Sequence, residues 1–156
     1  MATEPQRYAS RSAYTLVELV IVVLVVGILM RVAAPKYMES LAVYRSDTAA
    51  RRVAADLRLA RSYAQKVSAA QQVDFDAAAE TYAMSVTPDV DRSGSMYMVN
   101  LYQQNSAVIT SATFGPGDAV QFDMYGRPDR AGSVVIQAGT RQKTVEVDAV
   151  GNVRIL

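Results

Sequence analysis

Few residues of this 156-residue chain have both the type and the spacing for chemistry. In "PDVDRSG", Asp89, Asp91 and Ser93 have the alternate spacing of a calcium loop, with Gly94 sixth counting from Asp89. A full loop needs an acid at the twelfth position, where Asn100 stands, and Arg92 sits among the would-be ligands, so no metal is assigned. Asp74 and Asp76 share one face of a predicted strand, yet acid–base work needs a substrate cleft that no pattern announces. Arg127, Arg130, Arg141, Lys143 and Arg154 form a basic set near the C-terminus that could clamp phosphates. Asp129, Glu146 and Asp148 interrupt it, and no aromatic residue interleaves with it for base stacking. The remaining candidate is Glu18, in "SAYTLVELVIVVLVVGILMRVAAPKY", where Leu19 to Met30 carries no charge. A lone carboxylate costs several kcal/mol in hydrocarbon, so it needs a partner or a task.

The chain has no histidine and no cysteine. Ser–His–Asp and Cys–His catalysis are therefore excluded, as are a disulfide framework and a thiolate metal site. Hydrophobic residues make up 51% and charged residues 20%, the balance of a folded domain with an added apolar run. A net charge of +1 gives no global pull toward nucleic acid, so any such binding would need a local patch. Neither an enzyme activity nor a cofactor is expected.

The elements that would position these residues follow from periodicity. From Tyr37 to Ala70 there is no glycine or proline, and good helix formers dominate. Ala50, Val53, Leu57, Ala60, Ala64 and Val67 recur at spacings of three and four and form one apolar stripe. Arg45, Arg51, Arg52, Asp56, Arg58 and Arg61 mostly lie off it and read as a solvated face rather than a nucleic-acid stripe. Asp47 and Arg51 have the order favourable for a surface ion pair. Pro35 should kink the helix near Arg31. A helix from Tyr14 to Ala70 would be roughly 85 Å long, too long for a small globule, so its apolar end should leave the domain.

Beyond Ala70 the period becomes two. "QQVDFD", "ETYAMSV", "MYMVNLY", "AVITSATF", "AVQFDMY", "SVVIQAG", "KTVEVDA" and "NVRIL" read as strands, with "TPDVDRSGS", "QQNS" and "GPGD" as loops. Short strands at this spacing predict antiparallel sheet. The expected fold class is α+β: a long N-terminal helix whose C-terminal half packs on an antiparallel β-sheet.

The N-terminal run admits three readings. Arg7 and Arg11 ahead of an apolar core suit a secretory signal peptide, but "MRVAAP" continues into helix-forming sequence instead of a cleavable loop. Ser12 to Met30 is close to the roughly 20 residues of a plain membrane anchor. Neither explains Glu18. In the third reading the run resembles the class III signal of type IV pilins and pseudopilins, cut just before a hydrophobic residue with a glutamate fifth in the mature chain. A cut between Ala13 and Tyr14 makes Glu18 fifth, and Gly27 and Pro35 fall where that family has a glycine and a helix-kinking proline. Ala13 stands where the family usually has glycine, and Tyr14 where it usually has phenylalanine.

Further along, "VQFDMYGRPDRAGSVVI" and "KTVEVDAVGNVRIL" are similar to the C-terminal signature of GspH/FimT-type minor pseudopilins, and "AADLRLARSYAQKVSAAQQVDFD" to their helix-to-strand region. Gly126 and Gly151 read as turn residues with positive φ and nothing more. The resemblance implies a leader, residues 1–13, removed by a prepilin peptidase, and N-methylation of Tyr14. It implies a transmembrane and assembly helix over 14–36, an amphipathic helix over 37–70 and a β domain over 71–156. The expected partners are other pilin-like subunits, which Glu18 would meet through a neighbour's N-terminal amine, and inner-membrane lipid. The expected location is the bacterial inner membrane, single-pass, with the C-terminal domain periplasmic and the chain incorporated in a type II secretion pseudopilus. The alternative is a minor type IV pilin of a pilus or DNA-uptake machine that uses Arg127, Arg130, Arg141, Lys143 and Arg154.

Overall fold

The computed structural model describes residues 14–88 and 96–156; Ala13 and the calcium-like stretch 89–94 lie outside the described residues. Two compact units divide at Tyr37 and Met38, and one helix, α1 (Leu16–Val67), contributes to both.

In the first unit α1 begins just after Thr15, whose Oγ1 accepts a hydrogen bond from the Glu18 backbone N–H at 3.2 Å. That bond satisfies one of the unpaired donors of the first turn. The large apolar side chains from Leu16 to Val32 are all exposed, Leu24 at 60% and Leu29 at 63%. The helix is long and apolar enough here to cross a membrane. It continues through Pro35, which removes one N–H donor without ending the helix.

In the second unit the predicted stripe faces inward: Ala50, Val53, Leu57, Ala60 and Ala64 are buried. Val67 is not; it is 40% exposed because the helix ends there. The end is a left-handed Ser68 (φ 53°) followed by a hydrogen bond from the Ala69 N–H to the Ala64 carbonyl, the six-to-one closure of a Schellman cap.

The strands are β1 (Gln71–Asp76), β2 (Thr81–Pro88), β3 (Met96–Asn100), β4 (Val108–Thr113), β5 (Ala119–Phe122), β6 (Gly132–Ala138), β7 (Arg141–Val147) and β8 (Val153–Ile155). They form two four-stranded sheets, ordered β3-β2-β1-β5 and β4-β6-β7-β8, with every pairing antiparallel. The α+β expectation holds, with two sheets in place of the single one implied. Period-two alternation turns Val73, Phe75, Tyr82, Met84, Val120 and Phe122 of the first sheet inward, and Ile109, Val134, Ile136, Val145 and Val147 of the second. With the helix stripe they make one core.

One element departs from expectation. "MYMVNLY" reads as a single strand, but β3 stops at Asn100 and a short helix α2 (Leu101–Asn105) follows. The Asn100 side chain accepts a hydrogen bond from the Gln103 N–H at 2.8 Å and caps it. Ser106, left-handed at φ 51°, ends it. Apolar alternation concealed an Asn-x-x-Gln capping signal.

Candidate functional site

Glu18 sits in the first turn of α1, three residues after the threonine that caps it. Thr15-x-x-Glu18 is the spacing of a capping box, and a carboxylate there also complements the positive end of the helix dipole. The observed cap bond is made by the Glu18 backbone, so what its carboxylate gains locally is the dipole's positive end. Among the described residues it has no ion-pair partner, and its apolar neighbours are uncovered. Tyr14, the expected first mature residue, is 81% exposed.

In the second unit α1 spends its polar residues on holding the head together. Arg58 Nη2 donates to the Val153 carbonyl at 2.7 Å, Arg61 Nη1 to the Gly151 carbonyl at 2.8 Å, and Gln65 Nε2 to the Tyr125 carbonyl at 2.9 Å. Positions 58, 61 and 65 are spaced three and four apart and so lie along one side of the helix. Arg58 is exposed, as a solvated face requires, and Arg61 is half-buried, but both also bond to carbonyls of the head. Arg61 thereby satisfies a turn carbonyl and Arg58 the carbonyl of the first residue of β8.

The two glycines held by this ladder are more than turn residues. Gly126 (φ 76°) and Gly151 (φ 89°) both need the left-handed region. A Cβ on Gly151 would also collide with the Gly126 carbonyl oxygen, and one on Gly126 with the Gln65 amide. The similarity of "MYGRP" and "VGNVRI" to a family signature thus has a packing reason: the two turns and the helix touch.

Asp56 is the other surprise. It is only 6% exposed, and its Oδ2 accepts from the Tyr82 hydroxyl at 2.5 Å, the Arg52 Nε at 3.0 Å and the Tyr97 hydroxyl at 3.1 Å. Arg52 Nη2 also reaches the Tyr97 oxygen at 2.8 Å. Burial, and then the Asp56 charge, push the Tyr82 hydroxyl far above its ordinary value. The cluster fastens α1 to β2 and β3. The signal missed in the sequence is the alternation that points Tyr82 and Tyr97 inward with their polar tips needing a partner. By contrast Asp47 and Arg51 form the expected surface pair at 2.7 Å.

The basic set is dispersed. Arg127 and Arg130 lie exposed in the loop between β5 and β6. Arg141 and Lys143 share one face of β7, and Arg141 is ion-paired to Glu39. Arg154 projects from the opposite face of its strand to the buried Val153, in register with Glu146. Asp123 and Asp148 shape the neighbouring loops. Asp123 Oδ1 accepts from the Arg127 N–H at 2.8 Å, and hydrogen bonds from Asn152 hold the Asp148 carboxyl below its usual range. Asp74 hydrogen-bonds with Gln72 and Ser85 on the outer face of the first sheet, the face whose alternation Asp76 continues.

A helix stripe of small and branched residues, an arginine ladder and two antiparallel sheets define the head. A family model described as "Type II transport protein GspH" matches residues 49–151. The chain belongs to the GspH family. The match covers the ladder, the Asp56 cluster and both glycine turns, and it begins after the apolar half of α1. Among solved structures, the minor pseudopilin EpsH of the Vibrio cholerae type 2 secretion system is similar with a TM-score of 0.54 at 12% identity, over 72% of this chain and 96% of that one. The type IV minor pilin FimU of Pseudomonas aeruginosa is similar with a TM-score of 0.51 at 14% identity, over 71% and 87%. At such identities the likeness establishes the fold: this GspH-family chain is pilin-like. No curated protein matches the sequence.

Proposed function

We propose that this chain is a minor pseudopilin, a structural subunit that joins a type II secretion pseudopilus through the apolar half of α1. The observation that carries the reading is a GspH-family head in the same chain as an exposed apolar helix with Glu18 in its first turn. In this reading residues 1–13 are a leader removed by a prepilin peptidase between Ala13 and Tyr14, and the new Tyr14 amine is methylated. Residues 14–36 anchor the chain in the inner membrane, with 37–70 and the β domain 71–156 in the periplasm. Glu18 accepts the N-terminal amine of a neighbouring subunit; opposite charges attract more strongly as the dielectric falls, so the pair sets the axial register between anchors.

Mass spectrometry of the membrane-extracted chain should find Tyr14 as the first residue; an intact N-terminus or a cut near Ala34 would return the segment to an ordinary anchor or signal peptide. Glu18→Leu should leave insertion and cleavage intact and remove crosslinks to other pilin-like subunits. Wild-type crosslinking of that variant would leave Glu18 only its favourable place at the positive end of the helix dipole.

FimU, a type IV minor pilin, supports a second reading as a pilus subunit. Its DNA-binding form would require Arg127 and Arg130 in their exposed loop to act without Arg141, which is engaged with Glu39. Charge reversal at Arg127 and Arg130 that abolishes DNA binding would favour it.

A further inference from the structure

Between Glu18 and Lys36 the apolar run of α1 carries one further charge, Arg31, with no acid within a turn of it. The side chains one turn away are Gly27, Ile28, Ala34 and Pro35. The next acid toward the C-terminus, Glu39, is ion-paired to Arg141. The next toward the N-terminus is Glu18, thirteen residues back, about 20 Å along the axis and about 140° around it at 100° per residue. The two charges therefore point to different sides of one helix and cannot meet within a chain. A guanidinium held among packed anchors without an acid is costly, just as a lone carboxylate is.

Resting on the proposed assembly through α1, we infer that Arg31 docks against the first turn of a second pilin-like anchor and pairs with the carboxylate which that anchor carries at the position of Glu18. Charge complementarity chooses the occupant: a helix whose N-terminal turn bears a carboxylate on an otherwise apolar surface, as this chain's own does. Gly27, with open space where a Cβ would stand, and Ala34 lie within about 60° of Arg31 around the helix and leave room for a backbone to approach. The contact is heterologous, since the Arg31 side of one anchor meets the Glu18 end of the next with an offset of about 20 Å, and such contacts propagate into filaments. The partner carboxylate can accept an N-terminal amine as well, because its two oxygens offer about four acceptor positions.

Photo-crosslinking in the assembled machine tests this. A benzophenone side chain is placed at Ala34 in one variant and at Val17 in another, and the crosslinked partner residues are mapped by mass spectrometry. The Ala34 probe should map within one turn of the glutamate that stands fifth in a partner anchor. Arg31→Leu should lower that crosslink by about tenfold, with Arg31→Lys retaining most of it. A Val17 probe that captures pilin-like anchors while the Ala34 probe maps elsewhere, or only to phospholipid, overturns the inference and leaves the assembly reading standing. If neither probe captures a pilin-like anchor, the assembly reading fails and this inference with it.

Discussion

The two parts of α1 use opposite means of satisfying their side chains. From Met38 onward, apolar positions such as Val53 and Leu57 are buried and Arg52, Arg58 and Arg61 bond to partners in the same chain. From Leu16 to Tyr37, Leu19 and Leu24 are exposed and neither Glu18 nor Arg31 has an ion-pair partner among the described residues. An exposed apolar surface of this extent marks a membrane or protein interaction. The first part is written for an environment supplied from outside and the second for one supplied by the chain's own sheets.

If that division is right, the largest losses come from the second part. A fragment beginning at Met38 should fold alone, stay monomeric and show mixed helix and strand by circular dichroism; aggregation without detergent would mean that the apolar part belongs to the core. In that fragment Leu57→Ala should cost about 3 kcal/mol in denaturant unfolding, since it leaves a cavity at a fully buried site. Asp56→Ala should cost about 2–3 kcal/mol, because Tyr82 and Arg52 lose their common acceptor. A loss under 1 kcal/mol in either would show that the cluster and the stripe are peripheral.

Gly151→Ala should come next, at about 2 kcal/mol, because left-handed backbone and a clash with Gly126 combine. A smaller, pH-dependent effect belongs to Asp148. Its carboxyl is held low by Asn152, so its contribution is present above the ordinary carboxylate range and is lost as the pH falls through the lowered value. Asp148→Asn should flatten that part of the stability–pH curve. The smallest change is expected in the apolar part: in the detergent-solubilised full chain Leu24→Ala should shift head unfolding by less than about 0.5 kcal/mol, like Arg51→Ala on the surface.

How far these features could be read from sequence depends on whether their cause was local. The helix stripe from Ala50 to Ala64 and the short strands follow from periodicity alone, and Glu18 stood out because acids are rare in apolar runs. Asp56 did not. Its burial depends on two tyrosines at positions 82 and 97, whose approach is set by sheet pairing. The bonds of Arg58 and Arg61 are not legible in sequence because the carbonyls they reach, in β8 and in the turn before it, lie some ninety residues away. The end of β3 was misread because a capping asparagine sits inside an apolar alternation. The division into two sheets is a matter of long-range strand order, which periodicity does not encode.

The three contacts from positions 58, 61 and 65 also make α1 a phase-sensitive part. Inserting or deleting one residue between Leu57 and Ala60 would rotate everything beyond it by about 100°. It would withdraw Arg61 and Gln65 from their carbonyls together and turn Ala60 and Ala64 out of the core. The head should therefore tolerate substitutions along this stretch far better than any change of its length.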